Sequence, residues 1–183
     1  MAGLTSRLAG AADIPALAAV MAASIAELQR GFLTPAQIEA SRMIMGLDRQ
    51  LIADGTYFVV EAPGSEGSGR IAGCGGWSRR ATLYGGDHSP GRDAALLDPA
   101  VDPARVRAMY THPDFARRGV GRLILELCEA AARAEGFTRL ELMATLSGRP
   151  LYESYGFRAI EDIVDSRGGE PVPLVRMGKA IAA

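Results

Sequence analysis

The sequence is poor in residues that build cross-linked or metal-bound sites. It holds two cysteines, Cys74 and Cys128, and two histidines in 183 residues. Two cysteines make no disulfide framework, and with two scattered histidines they give no metal-ligand spacing. Reduced thiols, no metal and a cytoplasmic location are the expectation. Charge of one sign is also lacking: 20 Lys and Arg oppose 21 Asp and Glu, for a formal net charge of -1. Polyanion binders carry basic excess, so neither nucleic acid nor an anionic membrane is an expected partner. No apolar run reads as long enough to span a bilayer, and no basic segment precedes a long apolar one as in a secretory signal. Aromatic residues are 6% of the chain.

Glycine and apolar residues are plentiful, with 22 glycines, 10 prolines and 48% hydrophobic residues. The length suits one domain over residues 1–183. Thr5–Ala9 reads as a short strand. Asp13 and Pro15 open a helix whose apolar face is Ile14, Leu17, Met21, Ile25 and Leu28, and Gly31 stops it. Thr34, Pro35 and Gln37 form a capping-box signal for a second helix to about Met45. Residues 47–54 carry no clear period. Thr56–Glu61 and Ile71–Trp77 read as a strand hairpin around a Pro, Gly and Ser turn. Ser78–Asp102 has neither period, and loops of that length tend to be functional or disordered. Arg105–Thr111 is a strand. Gly119–Glu135 is the clearest helix, with Val120, Leu123, Ile124, Leu127, Cys128 and Ala131 on one stripe, and Arg122, Glu126, Glu129 and Arg133 opposite. Thr138–Ala144 is a strand, Ser147–Tyr155 a short helix capped by Ser147, and Phe157–Val164 and Val172–Met177 are strands around Gly168-Gly169. The order implies a mixed sheet with helices on its faces.

The informative unit is His112-Pro113-Asp114-Phe115-Ala116-Arg117-Arg118-Gly119-Val120-Gly121-Arg122, between a strand and a long helix. Helix N-termini present unpaired N–H groups and partial positive charge, so they bind phosphates. Gly119 and Gly121 let a ligand approach the backbone, and Arg117, Arg118 and Arg122 add charge. An ordinary helix start with solvated arginines fits the spacing equally. No Gly-Lys-Ser/Thr ending marks a P-loop, and the third glycine of a dinucleotide fingerprint is missing.

Thr111-His112-Pro113 followed by Ala116-Arg117-Arg118-Gly119-Val120-Gly121 resembles motif A of the GCN5-related N-acetyltransferases (GNAT). Leu151-Tyr152-Glu153-Ser154-Tyr155-Gly156-Phe157 resembles the end of their motif B. The upstream helix pair and hairpin match the family's N-terminal half, so the resemblance covers essentially the whole chain. It departs at Ala116, where Gln or Arg is common, at Thr145, where Asn is common, and at Gly148, where Ala is usual. The resemblance implies an α/β (α+β) fold: a mixed, mostly antiparallel sheet of six to seven strands, flanked by helices and splayed between strands near 105–111 and 138–144.

It also implies acetyl-coenzyme A as acyl donor and a small-molecule or peptide amine as acceptor. The pyrophosphate would sit on the amides of Arg117 to Arg122. The pantetheine arm would pair with Met109, Tyr110 and Thr111 and meet Thr145. Tyr152 is the candidate general acid for the departing thiolate, and a main-chain N–H near Tyr110 would face the oxyanion. The general base stays open among His112, His88 beside Asp87, and a water relay. Glu27 is a candidate to hold a cationic amine. Trp77 either walls the acceptor pocket or packs. Cys74 and Cys128 read as packed thiols. The loop Ser78–Asp102 either covers the acceptor site or is a surface excursion. The competing readings are a non-catalytic acyl-CoA sensor and an acyltransferase with another donor or acceptor. Homodimers are frequent in the family.

Overall fold

The β-rich runs of the sequence become seven strands: β1 (Thr5–Leu8), β2 (Tyr57–Ala62), β3 (Arg70–Ser78), β4 (Ala104–Thr111), β5 (Arg139–Thr145), β6 (Arg158–Asp165) and β7 (Val172–Ala180). In the computed structural model, which describes residues 3–63 and 69–182, they form one sheet in the order β1-β2-β3-β4-β5-β7-β6. Residues 64–68 of the expected hairpin turn lie outside the described residues. Every neighbouring pair is antiparallel except β4 and β5. The helices are α1 (Ile14–Leu28), α2 (Pro35–Ser41), α3 (Arg49–Ala53), α4 (Val120–Ala134) and α5 (Arg149–Ser154).

Alternation along the strands sends side chains to two cores. Val59, Cys74 and Tyr110 pack with Leu17, Met21 and Ile25 of α1 on one face. Val60, Ala72 and Val106 pack with Val120, Ile124 and Cys128 of α4 on the other. The glycines around Cys74 let α4 lie directly on β3. A Cβ at Gly73 would stand 2.5 Å from Val120 Cγ1, and one at Gly75 2.8 Å from Ile124 Cγ2.

Several local features differ from expectation. Asp13 does not cap α1 with its side chain; it accepts the Gly10 N–H at 2.7 Å and pairs with Arg7. The Thr34–Gln37 capping box is present, but α2 stops at Ser41, whose hydroxyl turns back to the Ile38 carbonyl. α3 fills the segment without a period, capped by Asp48. α5 begins on Gly148 rather than Ser147, because Thr145 Oγ1 takes the Gly148 N–H. Glu129, placed on the solvated face of α4 by its spacing, is buried and paired with Lys179 from β7. Ala11–Leu28 does reach the length and hydropathy of a membrane-crossing helix, contrary to the sequence reading. Alanines raise its hydropathy, while Leu17, Val20, Met21 and Ile25 are buried against the sheet.

The long loop between β3 and β4 is fastened along its length. Its arms pair with each other through Ala81 and Thr82 against Ala95 and Asp93. Arg80 forks onto Asp54 at 2.7 and 2.8 Å. Buried Asp48 takes Arg92 of the loop on Oδ1 and Arg107 of β4 on Oδ2, both at 2.8 Å. Tyr84 donates to Asp165 at 2.9 Å, and Arg167 binds the same carboxylate while lying over the Tyr84 ring.

Two predictions follow from these clamps. Asp48→Asn keeps the shape and removes the charge that two arginines share. Breaking a buried ion pair costs about 3–5 kcal/mol, so the urea midpoint should fall accordingly. Asp54 and Asp165 are also informative. The bonds from Arg80 hold the Asp54 carboxyl below its ordinary value. Burial pushes Asp165 up, but bonds from Arg167 and Tyr84 outweigh it and leave the carboxyl low. A depressed carboxyl contributes stability above its unfolded value of about 4, and that stability is lost as pH falls below it. With the intrinsic pH dependence of exchange divided out, protection of the amides of residues 79–103 should therefore fall as pH drops below about 4 and change little between about 5 and 7.

Candidate active site

β4 and β5 run parallel but pair only at Ala104 with Leu140 and Arg105 with Glu141. Beyond these positions β4 changes course. Ala108 and Met109 together oppose Gly75 of β3, which makes a β-bulge. Ala108 takes φ 50°, a region costly for a residue with a Cβ. The conformation is held by Tyr57, whose hydroxyl donates to the Ala108 carbonyl at 2.7 Å. β5 meanwhile stays in register with β7 along its whole length. The two strands separate, and a cleft opens between them.

Met109 and Tyr110 line this cleft from β4, and Met143 and Thr145 from β5. Tyr152 of α5 closes the end where the strands finish, and Leu83, Tyr84 and Gly85 of the long loop wall another side. The Gly46 N–H donates to Tyr110 Oη at 2.8 Å and brings Ile44 and Met45 to the lining. A larger hollow of about 290 Å³ lies at the opposite end of β5, around Pro103, Arg139 and Lys179. It shares no lining residue with the cleft.

α4 begins close to the cleft because few residues separate it from the end of β4. Arg117 and Gly119 both have positive φ, 65° and 88°, and this turns the chain into the helix. The amides of Val120, Gly121 and Arg122 then occupy a first turn that lacks carbonyl partners within the helix. Arg117, Arg118 and Arg122 are exposed around it; Arg118 lies over Phe115, and Arg122 pairs with Glu126. Gly121 has a packing role as well: a Cβ there would meet Leu151 Cδ2 at 2.6 Å, so this glycine sets how closely α4 and α5 approach.

Tyr152 is buried, edge-on to Phe157 at 6.0 Å, and its hydroxyl makes no hydrogen bond among the described residues. Burial, with Cys128 behind it, pushes the phenol well above its ordinary value. Gly148 makes room for the ring. A Cβ there would lie 3.0 Å from Tyr152 Cε2 and 3.2 Å from Thr145 Oγ1. Glycine in place of the usual alanine therefore affects where the tyrosine sits.

Other residues singled out from sequence lie elsewhere. His112 caps the turn after β4: Nδ1 accepts the Asp114 N–H, and Nε2 lies 3.3 Å from Arg70. Thr111 pairs with Gly73 in the sheet. Glu27 is exposed and paired with Arg30. Trp77 packs edge-on against Phe137 in the α4-side core. His88 is exposed, with Nε2 2.7 Å from the Arg42 carbonyl oxygen. Burial pushes the Cys74 thiol up to about 12, which leaves no thiolate near neutrality. Sequence reasoning overlooked Arg107, Asp48 and Tyr84. Two arginines, Arg105 and Arg107, at alternate positions of one strand were the available signal for the first.

These parts suit a ligand with a phosphate end and an extended amide-bearing arm. Unpaired helix amides stand at one end, a bulged strand edge runs along the middle, and a buried hydroxyl closes the cleft. The structure is similar to solved acetyltransferases. A GCN5-related N-acetyltransferase from Rhodopseudomonas palustris aligns with 21% identity and TM-score 0.69, over 98% of this chain and 97% of that one. The PaiA N-acetyltransferase of Thermoplasma acidophilum, solved with coenzyme A, aligns with 14% identity and TM-score 0.63, over 97% and 99%. The ribosomal-protein-S18-alanine N-acetyltransferase of Escherichia coli gives 16% and 0.60, over 98% and 95%. At these identities the likeness speaks for the fold. Among curated proteins none matches by sequence. The acetyltransferase (GNAT) domain model, however, matches residues 53–159, more than half of the chain. The chain belongs to the GNAT acetyltransferase family.

Proposed function

We propose that this protein is a single-domain N-acetyltransferase that moves an acetyl group from acetyl-coenzyme A to a primary amine. The observation that carries this reading is the buried Tyr152 hydroxyl in the cleft between the parted strands β4 and β5. Acetyl-coenzyme A, when bound, supplies a thioester open to attack by a neutral amine. The first-turn amides of α4, with Arg117, Arg118 and Arg122, hold its pyrophosphate. Met109, Tyr110 and Thr111 offer strand-edge groups to its amide arm, and Thr145 offers a hydroxyl across the cleft. The bulge at Ala108 and Met109 frees backbone polarity for the charge that develops on the acyl oxygen. Tyr152 Oη holds a proton in a dry setting and delivers it to the departing sulfur.

No side-chain base is assigned. His112 is engaged by Arg70 and Asp114, His88 by the Arg42 carbonyl, and Glu27 by Arg30. The amine's proton therefore leaves through water. Two buried, free cysteines suit a reducing compartment such as the cytoplasm.

Tyr152→Phe should lower kcat by about 10²- to 10⁴-fold, with affinity for coenzyme A retained, in a thiol-release assay over an amine panel. Full rate in this variant at every pH would remove the acid assignment. Tight coenzyme binding without turnover of any amine would favour a sensor of the same fold. The pH profile tests the same proton. Because burial raises Tyr152 above its ordinary 10.0, the hydroxyl keeps its proton through that value. Rate should climb with pH as the acceptor ammonium is deprotonated. No alkaline fall from loss of this proton should appear below pH 10.0.

A further inference from the structure

One charged side chain lines the cleft among the described residues, and it is a buried cation. Arg107 is 3% exposed and lines the cleft. Its guanidinium sits in the wall between Asp48 and the loop. It donates to Asp48 Oδ2 at 2.8 Å, to the Gly85 carbonyl at 2.7 Å and to the Thr82 carbonyl at 2.9 Å. A guanidinium has five N–H groups, so two remain without a partner among the described residues. Its counter-charge is also shared. Asp48 Oδ1 is taken by Arg92, which in turn donates to the Gly86 carbonyl. Two cations therefore stand on one carboxylate. The nearby Arg167 and Asp165 neutralise each other, as do Arg49 and Asp87. Arg92 is part-exposed and reaches solvent, so the buried cost lies in the two N–H groups of Arg107 that have no acceptor, a cost that a bound carboxylate would relieve. Desolvation lowers the Arg107 value, the charge of Asp48 raises it, and the like charge of Arg92 lowers it again.

Beside Tyr84 and the Gly46 and Gly85 backbone, this wall has an apolar part. Ile44, Met45, Leu83 and Leu174 line it. We infer that the acceptor is an amine bearing its own carboxylate and an apolar side chain, as a free apolar amino acid does, and that Arg107 reads the carboxylate. This rests on the acetyltransferase reading above. The acceptors that these N–H groups lack arrive with the carboxylate of the substrate. Arg107 lies in β4 immediately before the bulge at Ala108, so a carboxylate bound to it brings the neighbouring amine to the place where the two strands part. A peptide N-terminus has no carboxylate there and is disfavoured.

Three acceptors that differ in one group test this: L-leucine, L-leucinamide and isopentylamine, each with acetyl-coenzyme A and thiol-release detection. The acid should exceed both others in kcat/KM by about ten- to a hundredfold, the size of one charge-assisted hydrogen bond. The lower basicity of the amide's amine opposes this order and cannot create it. In Arg107→Met, where Asp48 keeps Arg92, the preference should shrink to less than about threefold, and Arg107→Lys should restore part of it. Equal or better use of the uncharged acceptors by the wild type would overturn the inference. So would an equal loss toward all three in Arg107→Met, since the arginine would then serve the thioester or the fold. If none turns over, calorimetry on the coenzyme A-loaded protein separates the two readings. Binding of leucine but not isopentylamine, abolished in Arg107→Met, would support the carboxylate site while acetyl transfer fails; absence of leucine binding would refute the site itself.

Discussion

The parting of β4 and β5 is the constraint on which the rest depends. A parallel pair that hydrogen-bonds at only two positions leaves strand-edge groups without partners, and buried backbone groups are rarely left so. Such an edge persists because each strand is held from its other side, β4 by β3 and β5 by the full length of β7. The bulge that turns β4 away is itself strained at Ala108 and is fixed by the Tyr57 hydroxyl, whose ring lies in the α1-side core. The cleft is thus held open by packing in the α1-side core beside it, which shares Met45, Ala108 and Tyr110 with its lining.

The same geometry explains why the loop between β3 and β4 is clamped so heavily. Opening a sheet exposes a wall that helices do not cover. The loop supplies that wall, but its sequence has no apolar periodicity with which to adhere. Ion pairs serve in its place: Arg80 to Asp54, Arg92 to Asp48, and Tyr84 with Arg167 to Asp165. Buried and part-buried charges fix position more than they add stability, because desolvation offsets much of the attraction. A wall that must hold a shape beside a reaction centre is a reasonable place for that exchange.

Features governed by neighbours in sequence were legible before the structure. The Thr34–Gln37 box and Gly119 before α4 depend on residues within a turn or two, and so does part of the α4 stripe: Val120, Ile124 and Cys128 are buried as expected, but Leu125 and Ala132 are buried as well and Leu127 joins no core cluster. Features governed by distant partners were not. Glu129 sits at a solvent-facing spacing, yet Lys179, fifty positions on, draws it inside. Asp48 lies in the segment without a clear period; it caps α3 with one oxygen, while its second oxygen and its charge belong to Arg107 and Arg92. His112 has the right chemistry for a base and the right place at a strand end, but Arg70 and Asp114 engage its two nitrogens. Titratable type and position name candidates, and competing partners decide among them.

The bulge also assigns the two halves of β4 to different molecules in the proposed reaction. After Ala108, Met109 to Thr111 would present backbone to the arm of the donor. Before it, Arg107 would present a side chain to the proposed acceptor, in the stretch where β4 has just left β5. One strand thus carries both contacts, and the backbone turn between them sets the distance from carboxylate to thioester. A strand spaces its residues rigidly, at about 3.3 Å each. The reach from a carboxylate to its own α-amine is likewise fixed, so an α-amino acid and this strand are matched in scale. An acceptor whose amine lay several bonds further from its carboxylate would carry its nucleophile past the bulge, which favours the α-amine over a side-chain amine.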